Sequence, residues 1–285
     1  MTIKIRLAQP EDAEKCGAIC FEAFAAFAKL HNFPPDMPNP EQPTGLLKHL
    51  ISRDDFYTTV AEIDGKIVGS NVLWENGEIA GVGPITVDPS VQHGSVGKIL
   101  MTDLLERCKS QGFESVRLVQ AAYNNISMAL YTKLGFDVME PLSLMNRRPL
   151  NMTVPGYEVR QATKSDVEAC HTLCQKIHGH SRKGDLADAL HQQTATVVER
   201  NGQITGYASV IGFWGHAVGE TNEDIKALIC AATEFAGPGI LVPTRNGDLM
   251  RWCLANDFKI VQPMSLMAYG PYQQPKGAFL PSIIF

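Results

Sequence analysis

The chain has 285 residues, 45% of them hydrophobic and 19% charged, with a formal net charge of −5. This composition buries a sizeable core, and at roughly 100–200 residues per domain the length implies two domains. The acidic balance works against non-specific nucleic-acid binding, and no apolar run reaches the roughly 18 residues that a membrane span needs. The opening MTIKIRLAQPEDAEK has no apolar stretch to serve as a signal peptide, so the expected location is cytoplasmic.

Taken in order, Ile3–Leu7 alternates as a strand, and Pro10-Glu11-Asp12 opens a helix running to about Lys29. His31–Pro43 carries prolines at 34, 35, 38, 40 and 43 and reads as a restricted surface loop. Phe56–Glu62 and Lys66–Trp74 are strands flanking Asp64-Gly65, a dipeptide suited to a tight hairpin turn. Ile79–Val87 is expected as one further strand, Ser95–Gln111 as a helix and Ser115–Ala121 as a strand. Ser127–Leu134 reads as a helix closed by Gly135, and Phe136–Met145 as the last strand of this half. The order is mixed α/β with a hairpin-rich beginning, which does not suit a doubly wound parallel sheet.

The second half repeats the first. Cys16 and Cys20 recur 154 positions later as Cys170 and Cys174, and Arg6-Leu7-Ala8 through Asp12 recurs as Arg160-Gln161-Ala162 through Asp166. With smaller offsets, Ile63 through Gly69 resembles Arg200 through Gly206, and Phe136 through Met145 resembles Phe258 through Met267. A period this long means a duplicated domain rather than a solenoid, with the boundary near Pro149–Gly156. The expected domains are therefore residues 1–148 and 156–285. The seven cysteines form no C-x-x-C pair, and buried thiols are expected rather than disulfides or a metal site.

The stretch Ile85-Thr86-Val87-Asp88-Pro89-Ser90-Val91-Gln92-His93-Gly94-Ser95-Val96-Gly97-Lys98 ends a strand, turns through small residues and starts a helix. Successive backbone N–H groups at such a junction converge on an anion, aided by the positive end of the helix dipole. Phosphate or pyrophosphate is the ligand class this implies. Gln92-x-x-Ser95-x-Gly97 resembles the acyl-CoA pyrophosphate loop of the GNAT N-acetyltransferase superfamily, Q/R-x-x-G-x-G/A, with Ser95 in place of the middle glycine. Downstream, Asn124-x-x-Ser127-x-x-Leu130-Tyr131-x-Lys133-x-Gly135-Phe136 resembles the same family's second motif, N-x-x-A/S-x-x-L/F-Y-x-K-x-G-F. The likeness covers essentially residues 3–146.

That resemblance implies two GNAT-like acyl-CoA N-acyltransferase domains in tandem, α/β in class with a mixed sheet. It implies acetyl-CoA as cosubstrate, no metal, and an amine acceptor on a small molecule or peptide, with the protein acting as monomer or homodimer. Ile85, Thr86, Val87, Gln92, His93, Gly94, Ser95, Val96, Gly97 and Lys98 are the expected cofactor contacts, joined by Asn124 and Ser127 at the pantetheine arm. Tyr131 is the implied general acid for the leaving thiolate. Glu75 and Glu78 are candidates for taking the acceptor's proton, and His31, Asp36 and Glu41 for acceptor specificity. A non-catalytic acyl-CoA-binding protein of the same fold is the alternative.

The second copy departs from this pattern. Gly219-Glu220-Thr221-Asn222-Glu223-Asp224 leads almost at once into a helix, and its three acidic residues would repel a pyrophosphate. Asn246 aligns with Asn124, but Cys253 and Asp257 stand where the first copy has Tyr131 and Gly135. This half resembles the degenerate C-terminal domain of YitH-like tandem acetyltransferases. The apolar tail, with Phe279, Leu280 and Phe285, is expected to pack back across the groove between the copies.

Overall fold

A computed structural model describes residues 2–35, 37–75, 77–91 and 95–285. The candidate residues Asp36, Gln92, His93 and Gly94 lie outside the described residues. The chain divides into two compact units, Met1–Leu118 with Tyr123–Asp137, and Val119–Ala122 with Val138–Phe285. Among the described residues no helix is long and apolar enough to cross a membrane.

The first unit begins with β1 (Ile3–Leu7), a short 3-10 turn at Pro10–Asp12, α1 (Ala13–Leu30) and α2 (Glu41–Ile51). Thus α2 takes in Glu41 and Pro43, which the proline count placed in a loop. Pro43 sits in the first turn, where a missing N–H costs no intrahelical bond. Then come β2 (Phe56–Ile63), β3 (Lys66–Trp74), β4 (Ala80–Val82) and β5 (Thr86–Val87). The single strand expected over Ile79–Val87 is two strands, divided at Gly83-Pro84-Ile85, where proline offers no N–H to a ladder. The chain continues with α3 (Val96–Gln111), β6 (Val116–Ala121), whose last three residues belong to the second unit, and α4 (Asn125–Lys133). β1, β2, β3 and β4 are joined antiparallel in that order, and β4 meets β6 in parallel, Ala80↔Val116 to Val82↔Leu118. β5 is registered with β3 through Gly69↔Val87 and Ser70↔Thr86. Cys16, Cys20, Leu47 and Leu50 of α1 and α2 pack with Val60 and Val72 of the sheet, while Val96 and Leu100 of α3 pack with Ala61 and Val68.

In chain order the remaining elements are β7 (Asp137–Asn146), β8 (Glu158–Gln161), α5 (Val167–His178), α6 (Lys183–His191), β9 (Thr196–Arg200) and β10 (Gln203–Ala208). They are followed by β11 (Ala217–Gly219), α7 (Asn222–Ala231), β12 (Ile240–Pro243), α8 (Gly247–Ala255), β13 (Lys259–Tyr269) and β14 (Ala278–Leu280). One ladder of the second unit runs β8-β9-β10-β11-β14. In another, β7 lies between β13 and β12 and pairs antiparallel with β12, Ile240↔Met145 to Pro243↔Leu142. The last strand of the first copy is thus part of the second compact unit. The tail also differs from its expected place: residues 278–280 form a sheet strand within the second unit.

The repeated Arg-x-Ala…Asp signature has a shared physical meaning. Arg6 donates from Nε to Glu62 Oε1 at 2.7 Å and from Nη1 and Nη2 to the Asp12 carboxylate at 2.6 and 3.0 Å. Arg160 does the same with Glu199 at 2.9 Å and with Asp166 at 2.8 and 2.9 Å. Each aspartate also accepts a backbone N–H at the helix entrance, from Gln9 or Thr163, at 2.7 Å. One guanidinium therefore ties a strand, its neighbour and the following helix together with bidentate, charge-assisted bonds. All seven cysteines are buried free thiols; burial pushes Cys16 up to about 11 and Cys170 up to about 12.

The Arg160 guanidinium holds the Asp166 carboxyl well below its usual range, so its contribution is present at neutral pH and is lost as pH falls. Asp166→Asn should lower unfolding stability by about 1.5–3 kcal/mol at pH 7. In denaturant titrations the gap to wild type should close as pH falls below about 4. Ser95 sits in the left-handed region, φ 64°, with no side-chain cap bond to lose. Ser95→Gly should therefore raise stability by about 0.5–1 kcal/mol in the same titration.

Candidate active site

The described cofactor candidates lie on or beside β5, α3 and α4, which approach one another at Gly97. Gly97, in the first turn of α3, marks the meeting point: a Cβ there would stand 3.4 Å from Leu130 Cδ2 of α4 and 3.8 Å from Val87 Cγ2 of β5. Ser95 is the N-cap residue of α3, and its positive φ is a conformation that a glycine takes without strain. Val96 is fully buried beneath the helix, Lys98 is exposed on its first turn, and that turn carries no acidic residue. Within the described residues, no carboxylate of that first turn opposes the positive end of the helix dipole.

On β5, Thr86 is buried, with its hydroxyl 3.4 Å from that of Ser70, and Ile85 lies half-buried just before the strand. Gly69 on the neighbouring strand makes this packing possible, since a Cβ there would stand 2.7 Å from Thr86 O. This glycine was not among the sequence candidates. Its signal was the repeat, which places Gly206 at the matching register, opposite Gly219 as Gly69 is opposite Val87.

Helix α4 starts at Asn125 because Asn124 caps it, Oδ1 accepting the Ser127 N–H at 3.0 Å. Tyr131 lies two turns along, 5% exposed and tilted against Phe136 with ring centroids 6.0 Å apart. Burial pushes its phenol up to about 12, against a smaller opposing effect of a hydrogen bond with the Ser127 side chain. The phenol therefore carries its proton throughout the neutral range.

The other candidates fall out differently. Glu75 is gripped by Arg107 at 2.8 and 2.9 Å, a bidentate pair that gives the carboxylate a structural task instead of that of a free base. Its sequence position before the central strand carried no hint of this partner. Glu78 is exposed. His31 belongs to a half-buried aromatic cluster: Phe33 and Phe27 stack on Tyr123 at 4.1 and 5.4 Å, and the His31 ring lies 4.5 Å from Phe27. Tyr123 directly precedes Asn124, and no sequence spacing joins it to α1. Among the described residues no group of three or more His, Cys, Asp or Glu side chains is arranged to hold a metal ion.

Residues 24–136 match the family model described as Acetyltransferase (GNAT) family, a span containing β5, α3 and α4. A candidate acetyltransferase from Pyrococcus horikoshii superposes with a TM-score of 0.73 at 19% identity, over 97% of this chain and 94% of that one. A GCN5-related N-acetyltransferase from Sphaerobacter thermophilus gives a TM-score of 0.61 at 13% identity, over 97% and 98% of the two chains. The chain thus shares its mixed α/β fold with these structures over nearly its whole length, and its residues 24–136 are similar to the GNAT acetyltransferase family.

Proposed function

We propose that the protein is an N-acetyltransferase that passes the acetyl group of acetyl-CoA directly to a primary amine of a small molecule or peptide. The observation that carries this reading is the convergence of β5, the open start of α3 and the tyrosine-bearing α4 at Gly97, inside the segment that matches the family model. Two features support a phosphate-bearing acyl carrier: Ser95 has a positive φ at the entrance of α3, and Gly97 leaves room that a side chain would fill.

When bound, acetyl-CoA supplies an activated thioester. The backbone N–H groups from Ser95 to Lys98, together with Gln92, His93 and Gly94, are assigned to its pyrophosphate, and the Lys98 ammonium adds positive charge. Ile85, Thr86 and Val87 offer a strand edge to the pantetheine arm, with a backbone N–H polarising the reacting carbonyl. Asn124 is assigned to the same arm through its amide nitrogen, because its oxygen is committed to the helix cap. Ser127 steadies the Tyr131 hydroxyl. Tyr131 holds a proton at its phenolic oxygen, kept there by burial, for delivery to the departing sulfur. With Glu75 paired to Arg107, the proton of the acceptor amine is assigned to solvent.

Release of CoA across a panel of amines tests the activity. Tyr131→Phe should lower kcat by about 10²–10⁴-fold and leave acetyl-CoA affinity unchanged. Gly97→Glu should remove acetyl-CoA binding in calorimetric titration, because it fills the meeting point and sets a carboxylate against the phosphates. Acetyl-CoA binding with no acceptor turned over would favour the non-catalytic reading. In an ultraviolet pH titration, the tyrosinate signal lost in Tyr131→Phe should be centred at about 12.

A further inference from the structure

The second copy has a strand where the first copy is assigned its acyl carrier. Gly206 of β10 faces Gly219 of β11 as Gly69 of β3 faces Val87 of β5, which makes β11 the counterpart of β5. The edge of β11 away from β10 is taken by β14, antiparallel, with Ala217↔Leu280, Val218↔Phe279 and Gly219↔Ala278 in register. Residues 88–95 separate β5 from α3, whereas Glu220 and Thr221 alone separate β11 from α7.

More than a ladder holds β14 in place. Gly277 lies so close to β11 that a Cβ on it would stand 2.6 Å from Gly219 O. Lys276 donates its N–H to Ile177 O at 2.9 Å, and Phe279 packs edge-on to His178 with ring centroids 5.3 Å apart. Phe279 is buried with Leu173, Cys174 and Tyr207, while Ala278 and Leu280 enter a second core cluster with Ile225 and Ile240. Strand β14 is part of the interior, covered by side chains that α5, β10, α7 and β12 direct onto it.

The polar groups are spent as well. Asn246 caps α8 as Asn124 caps α4, accepting the Leu249 N–H at 3.2 Å. Its amide then pairs with Asn222 at the start of α7: Asn222 Nδ2 donates to Asn246 Oδ1 at 3.0 Å, and Asn246 Nδ2 to Asn222 Oδ1 at 2.7 Å. Asp224, fully buried in the first turn of α7, accepts the Thr221 N–H at 2.8 Å and the Thr221 and Thr205 hydroxyls at 2.7 and 2.5 Å. A helix N-terminus that already holds a buried carboxylate repels a second anion.

We propose that β14 is a built-in occupant of the second copy's acyl-carrier position, using the strand edge that a pantetheine arm would use. Asn222 and Asp224 complete the closure by taking the capping amide and the helix N-terminus. The chain consequently takes up one acyl-CoA, and the second copy is sealed against cosubstrate by its own tail. This inference rests on the placement of the arm along β5 proposed above.

Hydrogen exchange of the full chain, followed by peptide with and without CoA, tests it alongside the calorimetric count of CoA per chain. The expected result is exchange at 217–219 and 278–280 as slow as in β9 and β10, unaltered by saturating CoA, and one CoA bound. Gly277→Val should speed exchange in both strands by at least about tenfold, because the side chain forces β14 off β11. Wild-type tail amides that exchange like open chain ends, or that respond to CoA, would overturn the proposal, as would two CoA per chain. Absence of any CoA binding would defeat the proposed function instead. Protection at 217–219 and 278–280 would then still decide whether β14 occupies β11.

Discussion

One guanidinium in each copy sets the frame on which the rest is built. Arg6 bridges β1, β2 and the entrance of α1, and Arg160 bridges β8, β9 and the entrance of α5, each through one glutamate and one bidentate aspartate. Both aspartates are almost fully buried and also accept a backbone N–H. Their charge is balanced where water cannot balance it, which fixes the angle at which each first helix leaves the sheet. The paired cysteines on those helices then face inward as small apolar side chains, and the hairpin that follows is laid against them.

From this common frame the copies diverge in the connection after the inner strand. In the first copy a connection of eight residues ends at Ser95 in a left-handed conformation, and the first turn of α3 carries no acidic residue. In the second a two-residue connection delivers Asp224 into the first turn of α7 and brings Gly219 close enough to accept another backbone. A difference in loop length thus becomes a difference in electrostatics. The first turn of α3 carries no acidic residue, whereas that of α7 holds Asp224, a carboxyl group set against the positive end of its dipole. The capping asparagines show the same divergence, since Asn124 and Asn246 share their backbone geometry but only Asn246 has its amide engaged by Asn222.

Local chemistry made much of this legible. The alternation of Ile3–Leu7, the Asp64-Gly65 turn, the capping position of Asn124 and the Gly135 stop are short-range features, set by neighbours a few residues away. So too is the start of α3 at Val96, because a helix dipole belongs to the first turn itself. The break at Gly83-Pro84 was also local, but the apolar run on either side concealed it. The aromatic cluster around Tyr123 and the pairing of Glu75 with Arg107 join residues far apart in the chain, and nothing in their spacing announces them.

The sequence by itself determined the mixed α/β class and the motif-bearing segments, because turns, caps and apolar periods are properties of contiguous residues. Only the tertiary structure decided which strand completes which sheet. β7 pairs with β12 and β14 adds to β11, although neither partner is adjacent in the chain. Backbone ladders are blind to side-chain identity, so any edge of suitable register and burial will serve. The choice among edges was made by Gly219 and Gly277 allowing two backbones to meet, and by Phe279 filling the space beside Tyr207.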